Sequence, residues 1–341
     1  MYSHIIVLSA MLAVAGSFFS HSSSRDARAI RRPVDGYEPV KKEVRVQIRE
    51  ILSIGVEDGD PNYLFAKPTN VVVDGKGNIY VIEMFAKQVR KYDKSGKYLV
   101  TIGRTGKGPG EYMMPSFGAV DRADNFYLFD YTTMRLSTFQ PDGTFEGSFV
   151  PGFLAGGICV SPKGEIVVCG IQDGKMLHQF DSKGKLISSF GEPWKASTDP
   201  RMGGFNFAFA CLGPDTCVYC CPVTDPNEIL KCDLRAKTVS SVAHDGPDYR
   251  PLTMSGKEPS GSMTRGMVVL RDGTIVVCVS FAKDNKSVER LDFYSKEGRY
   301  LVSSSEIHGT PRCVDRECGM YVVTSEPFPR VVKYSVNLQG S

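Results

Sequence analysis

The sequence predicts an all-β chain folded as a six-bladed β-propeller of four-stranded antiparallel blades, its ring closed by the N-terminal strand. Three observations carry that expectation. A unit of four short strands separated by turn residues recurs, it recurs six times, and the last copy lacks a strand that the start of the chain supplies.

The unit is clearest at Pro68–Val73, where a β-branched run ends in the turn Asp74-Gly75-Lys76-Gly77 and Asn78-Ile79-Tyr80-Val81 follows. Val89–Asp93, the turn Lys94-Ser95-Gly96-Lys97 and Tyr98–Ile102 complete an antiparallel meander. Second strands recur from residues 78, 125, 165, 216, 274 and 319, a spacing that suits propeller blades. The last copy stops near Asn337 after three strands. Ile51-Leu52-Ser53-Ile54-Gly55 resembles Leu99-Val100-Thr101-Ile102-Gly103 and fits the missing place. Val44, Val46, Ile48, Leu52 and Ile54 alternate with mostly polar neighbours, which predicts a strand with one buried face.

Three segments are expected: a signal peptide over 1–24, a flexible tether over 25–43 and the propeller over 44–338. The charge-free apolar run Ile5–Phe19 is short for a membrane span and suits a signal-peptide core, although no Lys or Arg precedes it. Four Arg and two Pro within Arg25–Glu43 suit a tether. The expected location is therefore exported, periplasmic or extracellular, with no stable membrane insertion after cleavage. With 41 basic and 38 acidic residues the net charge is +3, too small to mark a nucleic-acid partner.

The pattern from Pro68 to Tyr80, with Gly106-Lys107-Gly108-Pro109-Gly110-Glu111-Tyr112 running into Pro115, resembles the NHL-repeat propellers within the TolB-like six-bladed superfamily. It is also similar to exported six-bladed propellers of Bacteroides relatives, most without an assigned activity. The resemblance covers roughly Val44 to Asn337. It implies a fold and leaves the function open, since propellers host unrelated chemistries.

Gly103–Gly110 is glycine-rich but lacks the helix-opening Lys-Ser/Thr of a phosphate loop, and Pro109 interrupts it; a blade connection is expected. Of ten cysteines, Cys169, Cys220 and Cys278 stand where blade one has Ile82, and Cys159 and Cys313 where it has Val72. Such positions predict buried apolar side chains. Cys211 with Cys217, and Cys313 with Cys318, flank turns and are candidate disulfides. No spacing predicts a metal site or a cofactor.

Lactonases of the same superfamily imply a carboxylate and amide ring around an axial divalent cation. Here the starts of the innermost strands put Asn70, Ser116, Gly156, Asn206, Arg265 and Thr310 at the axis, which offers two amides and no carboxylate. Candidate ligand contacts on the loops between second and third strands are Glu83, Phe85, Asp130 and Tyr131, with Asn70, Asn206 and Arg265 at the axis. The expected function is a non-enzymatic binding or scaffold module for a protein, peptide or carbohydrate. The alternative is a lactonase-like propeller hydrolase or lyase acting at the axial pocket.

Overall fold

The computed structural model describes residues 44–194, 207–242, 249, 250, 252–255, 258–283 and 286–340. The expected signal peptide and tether lie outside the described residues. Six four-stranded antiparallel sheets form the blades, and the described residues contain no helix. The innermost strands are Asn70–Val73, Pro115–Val120, Gly157–Val160, Ala208–Leu212, Met263–Val269 and Thr310–Val314. Each is followed outward by three antiparallel neighbours.

A side-chain device repeated at the first hairpin builds the blades. Asp74 accepts hydrogen bonds from the amides of Lys76 and Asn78 and from Asn78 Nδ2. Asp121 does the same for Ala123 and Asn125, and Asp315 for the amides of Glu317 and Gly319. Asp121 and Asp315 also take the hydroxyls of Tyr127 and Tyr321, each six residues on. The carboxylate satisfies turn amides that no strand reaches, which is why Asp favours this place.

The core is distributed rather than central. Six apolar clusters lie one between each pair of neighbouring blades. Between blades one and two, for example, Val72, Tyr80 and Ile82 meet Phe126, Leu128 and Phe139. Second strands such as Ile79–Glu83 and Phe126–Asp130 are buried throughout because both faces carry a neighbouring blade.

Val44–Ile54 is the outermost strand of the last blade, paired antiparallel with Arg330–Gly340. The closure read from the sequence is therefore present, with one correction. The register slips between Glu50 and Leu52, leaving Ile51 as an exposed extra residue. The bulge turns the strand over. Val46 and Ile48 pack between blades five and six, whereas Leu52 and Ile54 pack between blades six and one. The strand serves two faces, not one.

All ten cysteines are free thiols, so neither candidate disulfide is made. Cys313 pairs across the sheet with Tyr321, while Cys318 sits exposed in the turn with φ +67°. Cys211 likewise faces Tyr219, two residues beyond Cys217. Cys159, Cys169, Cys220 and Cys278 are buried as expected, whereas Cys313 is half-buried and Cys221, not Cys220, holds the ladder place of Ile82. Gly103–Gly110 is a blade connection in which Glu111 accepts from Arg104 Nε and the Gly108 amide, both at 2.8 Å.

Candidate functional site

The innermost strands surround an axial passage with two cavities. The larger, about 330 Å³, runs from the level where those strands begin to their last residues. The smaller, about 250 Å³, lies where they end. Between them is an apolar girdle of Val73, Val120, Val160, Leu212, Val269 and Val314. Each of these is the last inner-strand residue of its blade, paired with the first residue of the second strand or, for Val314 with Met320, the second. The girdle thus follows from one repeated strand position.

Beyond the girdle, Asp74, Asp121 and Asp315 line the smaller cavity, but their oxygens are occupied by their own turns. Asp74 and Asp315 also pair with Lys91 at 3.5 Å and Lys333 at 2.7 Å. Arg122, Arg271 and Arg316 follow them at the rim.

Around the larger cavity the inner strands of blades three and four, and of blades five and six, approach closely. A Cβ on Gly157 would meet Ala210 Cβ at 3.0 Å, and one on Gly266 would meet the Pro311 carbonyl oxygen at 2.6 Å. Polar side chains in this cavity are few. Asn70 lines it, with Oδ1 accepting from the Val71 amide and Nδ2 donating to the Ser116 carbonyl at 3.3 Å. Arg312 also lines it, donating from Nη1 to the Arg265 carbonyl at 3.3 Å.

Most of the sequence-derived contacts do not converge on this cavity. Glu83 is 1% exposed. Its Oε1 accepts from the amides of Ala66 and Lys67, and its Oε2 pairs with Arg90 at 3.1 Å. Asp130, in the matching place of blade two, accepts from the amides of Met113 and Met114 and from Thr133. Both carboxylates tie the incoming blade connection to the sheet, so they are structural and not free for a ligand. Tyr131 is buried edge-on to Phe117 and Phe129. Phe85 is exposed on its turn and lines neither cavity. Asn206 lies outside the described residues.

The ladder place that Asn70 holds opposite Ile82 belongs to Phe117, Gly157, Phe209, Gly266 and Thr310 in the other blades. The axial assignment is thus met at Thr310 and falls one residue early in blades two, three and five. The inner strands of blades two, five and six break register at Pro115/Phe117, Thr264/Gly266 and Pro311/Cys313. Ser116, Arg265 and Arg312 are the extra residues. Gly266, not Arg265, holds the ladder place opposite Cys278 that Asn70 holds opposite Ile82. Arg312 was missed altogether. Its signal was Pro311, since a proline inside a strand marks a bulge, as Pro115 does in blade two.

The 6-bladed beta-propeller family DUF5128 has a sequence model that matches residues 61–166. Over 156 residues the chain is 24% identical to the Protein brain tumor of Drosophila melanogaster. That stretch is 45% of this chain but only 15% of the fly protein's length. Among solved structures, a candidate exported protein of Bacteroides fragilis superposes with a TM-score of 0.60 at 12% identity, over 87% of this chain and 95% of that one. A member of the DUF4221 family from Bacteroides vulgatus gives 0.59 at 9% identity, over 88% and 99%. A streptogramin B lyase gives 0.52 at 10%, over 88% and 100%. At such identities the likeness is one of fold.

Among the described residues no three His, Cys, Asp or Glu side chains gather as metal ligands would. His178 is held inside blade three, with Ser189 Oγ at 2.9 Å, the Gly170 carbonyl at 3.1 Å and the Phe153 ring 4.3 Å away. The described acid–base groups that the sequence offered are thus committed to the fold.

Proposed function

We propose that this protein is an extracytoplasmic binding propeller, with NHL-like repeats, that takes a small carbohydrate or peptide ligand, or the end of a larger one, in its axial cavity. The observation that carries this reading is the 330 Å³ cavity, walled by backbone and apolar side chains and carrying Asn70 and Arg312. Apolar walls supply contact area and a few placed polar groups orient the ligand, the usual build of a binding pocket. Export is supported by the apolar run Ile5–Phe19 and by the fold shared with the Bacteroides fragilis protein.

A lyase at the axis is the second reading, favoured by the fold shared with streptogramin B lyase. The roles of Glu83, Asp130 and His178 in holding the fold weigh towards binding. A calorimetric screen of mono- and disaccharides and short peptides tests the two. Asn70→Leu, which removes a polar group that lines the cavity, should weaken binding, and Phe85→Ala should leave it unchanged. A ligand whose affinity ignores Asn70→Leu would rule out the axial site, and turnover of a bound ligand would favour the lyase.

A further inference from the structure

The bulge residue of blade six, Arg312, brings a guanidinium group to the wall of the axial cavity, and the bulge residue of blade five, Arg265, lies close enough to act on its charge. Arg312 Nε is buried without a hydrogen-bond acceptor, and Nη1 reaches only the neighbouring backbone, the Arg265 carbonyl at 3.3 Å. No described carboxylate pairs with Arg312. Arg265 itself faces Glu289 at 3.7 Å. Lys67, on the connection that leads into blade one, is half-buried and feels both Arg265 and Glu289. Three cations therefore share one carboxylate among the described residues.

Such an arrangement is costly. A buried charge is normally paired, and one left without a counter-ion destabilises the fold that holds it. Burial, and after it the charge of Arg265, push the Arg312 guanidinium down to about 10. Burial and Arg265 likewise hold Lys67 below the ordinary lysine range. For both groups the pull of Glu289 offsets only part of this. The Phe209 ring, 5.5 Å from the Arg312 guanidinium carbon, covers one flank without neutralising it.

We propose that the axial cavity beside Arg312 binds an oxyanion, a carboxylate, phosphate or sulfate group carried by a small ligand, with Arg312 contacting it and Lys67 and Arg265 adding to the field. A planar fork of N–H donors matches two oxygens of such a group, and a desolvated guanidinium binds it more strongly than a solvated one. The proposal rests on the axial binding reading and names the chemistry of the ligand. Glu83 enters indirectly, because its Oε1 holds the Lys67 amide at 3.0 Å and so fixes the segment that presents the ammonium group.

The test is thermal unfolding of the full chain in sodium acetate, phosphate or sulfate against sodium chloride at equal ionic strength, for wild type and Arg312→Met. Methionine keeps the unbranched shape and removes the charge. The expected results are a Tm rise of about 2 °C or more with at least one oxyanion in wild type, and none beyond the general salt effect in Arg312→Met. In chloride alone Arg312→Met should melt above wild type, since it relieves an uncompensated buried charge. The three anions separate a carboxylate ligand from a phosphate or sulfate one. Lys67→Gln, at a half-buried side chain, should weaken titrated anion binding by about two- to fivefold. Equal Tm rises in both proteins, no rise with any oxyanion, or a lower Tm for Arg312→Met in chloride would each overturn the proposal. A neutral ligand bound in an Asn70-dependent way without any oxyanion effect would overturn it too, while leaving the axial binding reading in place.

Discussion

Glu83 shows how a residue type that suggests chemistry can instead be spent on architecture. Its carboxylate accepts two backbone amides and neutralises Arg90, whose guanidinium also donates to the Leu64 carbonyl at 3.0 Å. Removing it leaves a largely buried guanidinium without its counter-charge. Glu83→Ala should therefore cost about 3–5 kcal/mol in urea unfolding, and Phe85→Ala, one turn residue away, under about 0.5 kcal/mol. A Glu83→Ala protein as stable as wild type would return Glu83 to the list of free surface carboxylates. The cysteines separate in the same way. Burial pushes the Cys211 and Cys221 thiols up to about 12 and raises those of Cys159, Cys278 and Cys313 as well. Only the thiolate attacks an aromatic disulfide reagent, so exposed Cys318 should react fast and the rest only on unfolding. Fast reaction of several thiols in the native protein would contradict the buried placement.

Within a strand, neighbours decide what a polar side chain does. His178 lies in the third strand of blade three, Lys175–Phe180, 2% exposed between Ser189 and Phe153. Desolvation lowers its pKa, its bonds to backbone opposing that only in part. The sign follows from linkage. As pH falls through the ordinary histidine value, about 6.5, the unfolded chain takes up the proton before the folded one does. The stability that His178 contributes is complete above that value and is lost as pH falls towards the depressed folded value. Tm should thus decline between pH 7.5 and 5.5, and the decline should be shallower in His178→Gln even if that variant melts lower throughout. Parallel pH profiles for the two proteins would show that the ring does not titrate as its burial requires.

At the scale of the whole molecule, stability depends on a closed ring of six inter-blade interfaces, in which each four-stranded sheet keeps only short edges. The strand Val44–Ile54 contributes to two of those interfaces because its bulge at Ile51 turns it over. Removing residues 44–55 takes away Leu52 and Ile54 from one cluster and Val46 and Ile48 from another, and it bares the edge of Arg330–Gly340. Burying one such side chain fully is worth roughly 1.5–3 kcal/mol, and an unpaired edge invites aggregation. The truncated chain should be insoluble or unfolded, whereas removing 1–40 leaves every described contact in place and should preserve the melting temperature. A soluble 56–341 fragment with native-like melting would show that the ring does not need this strand.

The six blades, their order and their closure by the N-terminal strand were all readable in the sequence. The period of the turns and the alternation within strands are local properties that repeat, and repetition makes them visible. The core cysteines at Cys159, Cys169 and Cys278 were readable for the same reason, since a position in the repeat defines a position in the ladder. What the tertiary structure decided was the site. An extra residue in an inner strand stands outside the ladder, as Arg265 and Arg312 do, and of the two Arg312 lines the cavity. A bulge is written in the pairing between two strands and only faintly, through Pro115 and Pro311, in either strand alone. The partners that hold Glu83, Asp130 and Tyr131 lie up to 17 residues away along the chain, and only the fold brings them within reach.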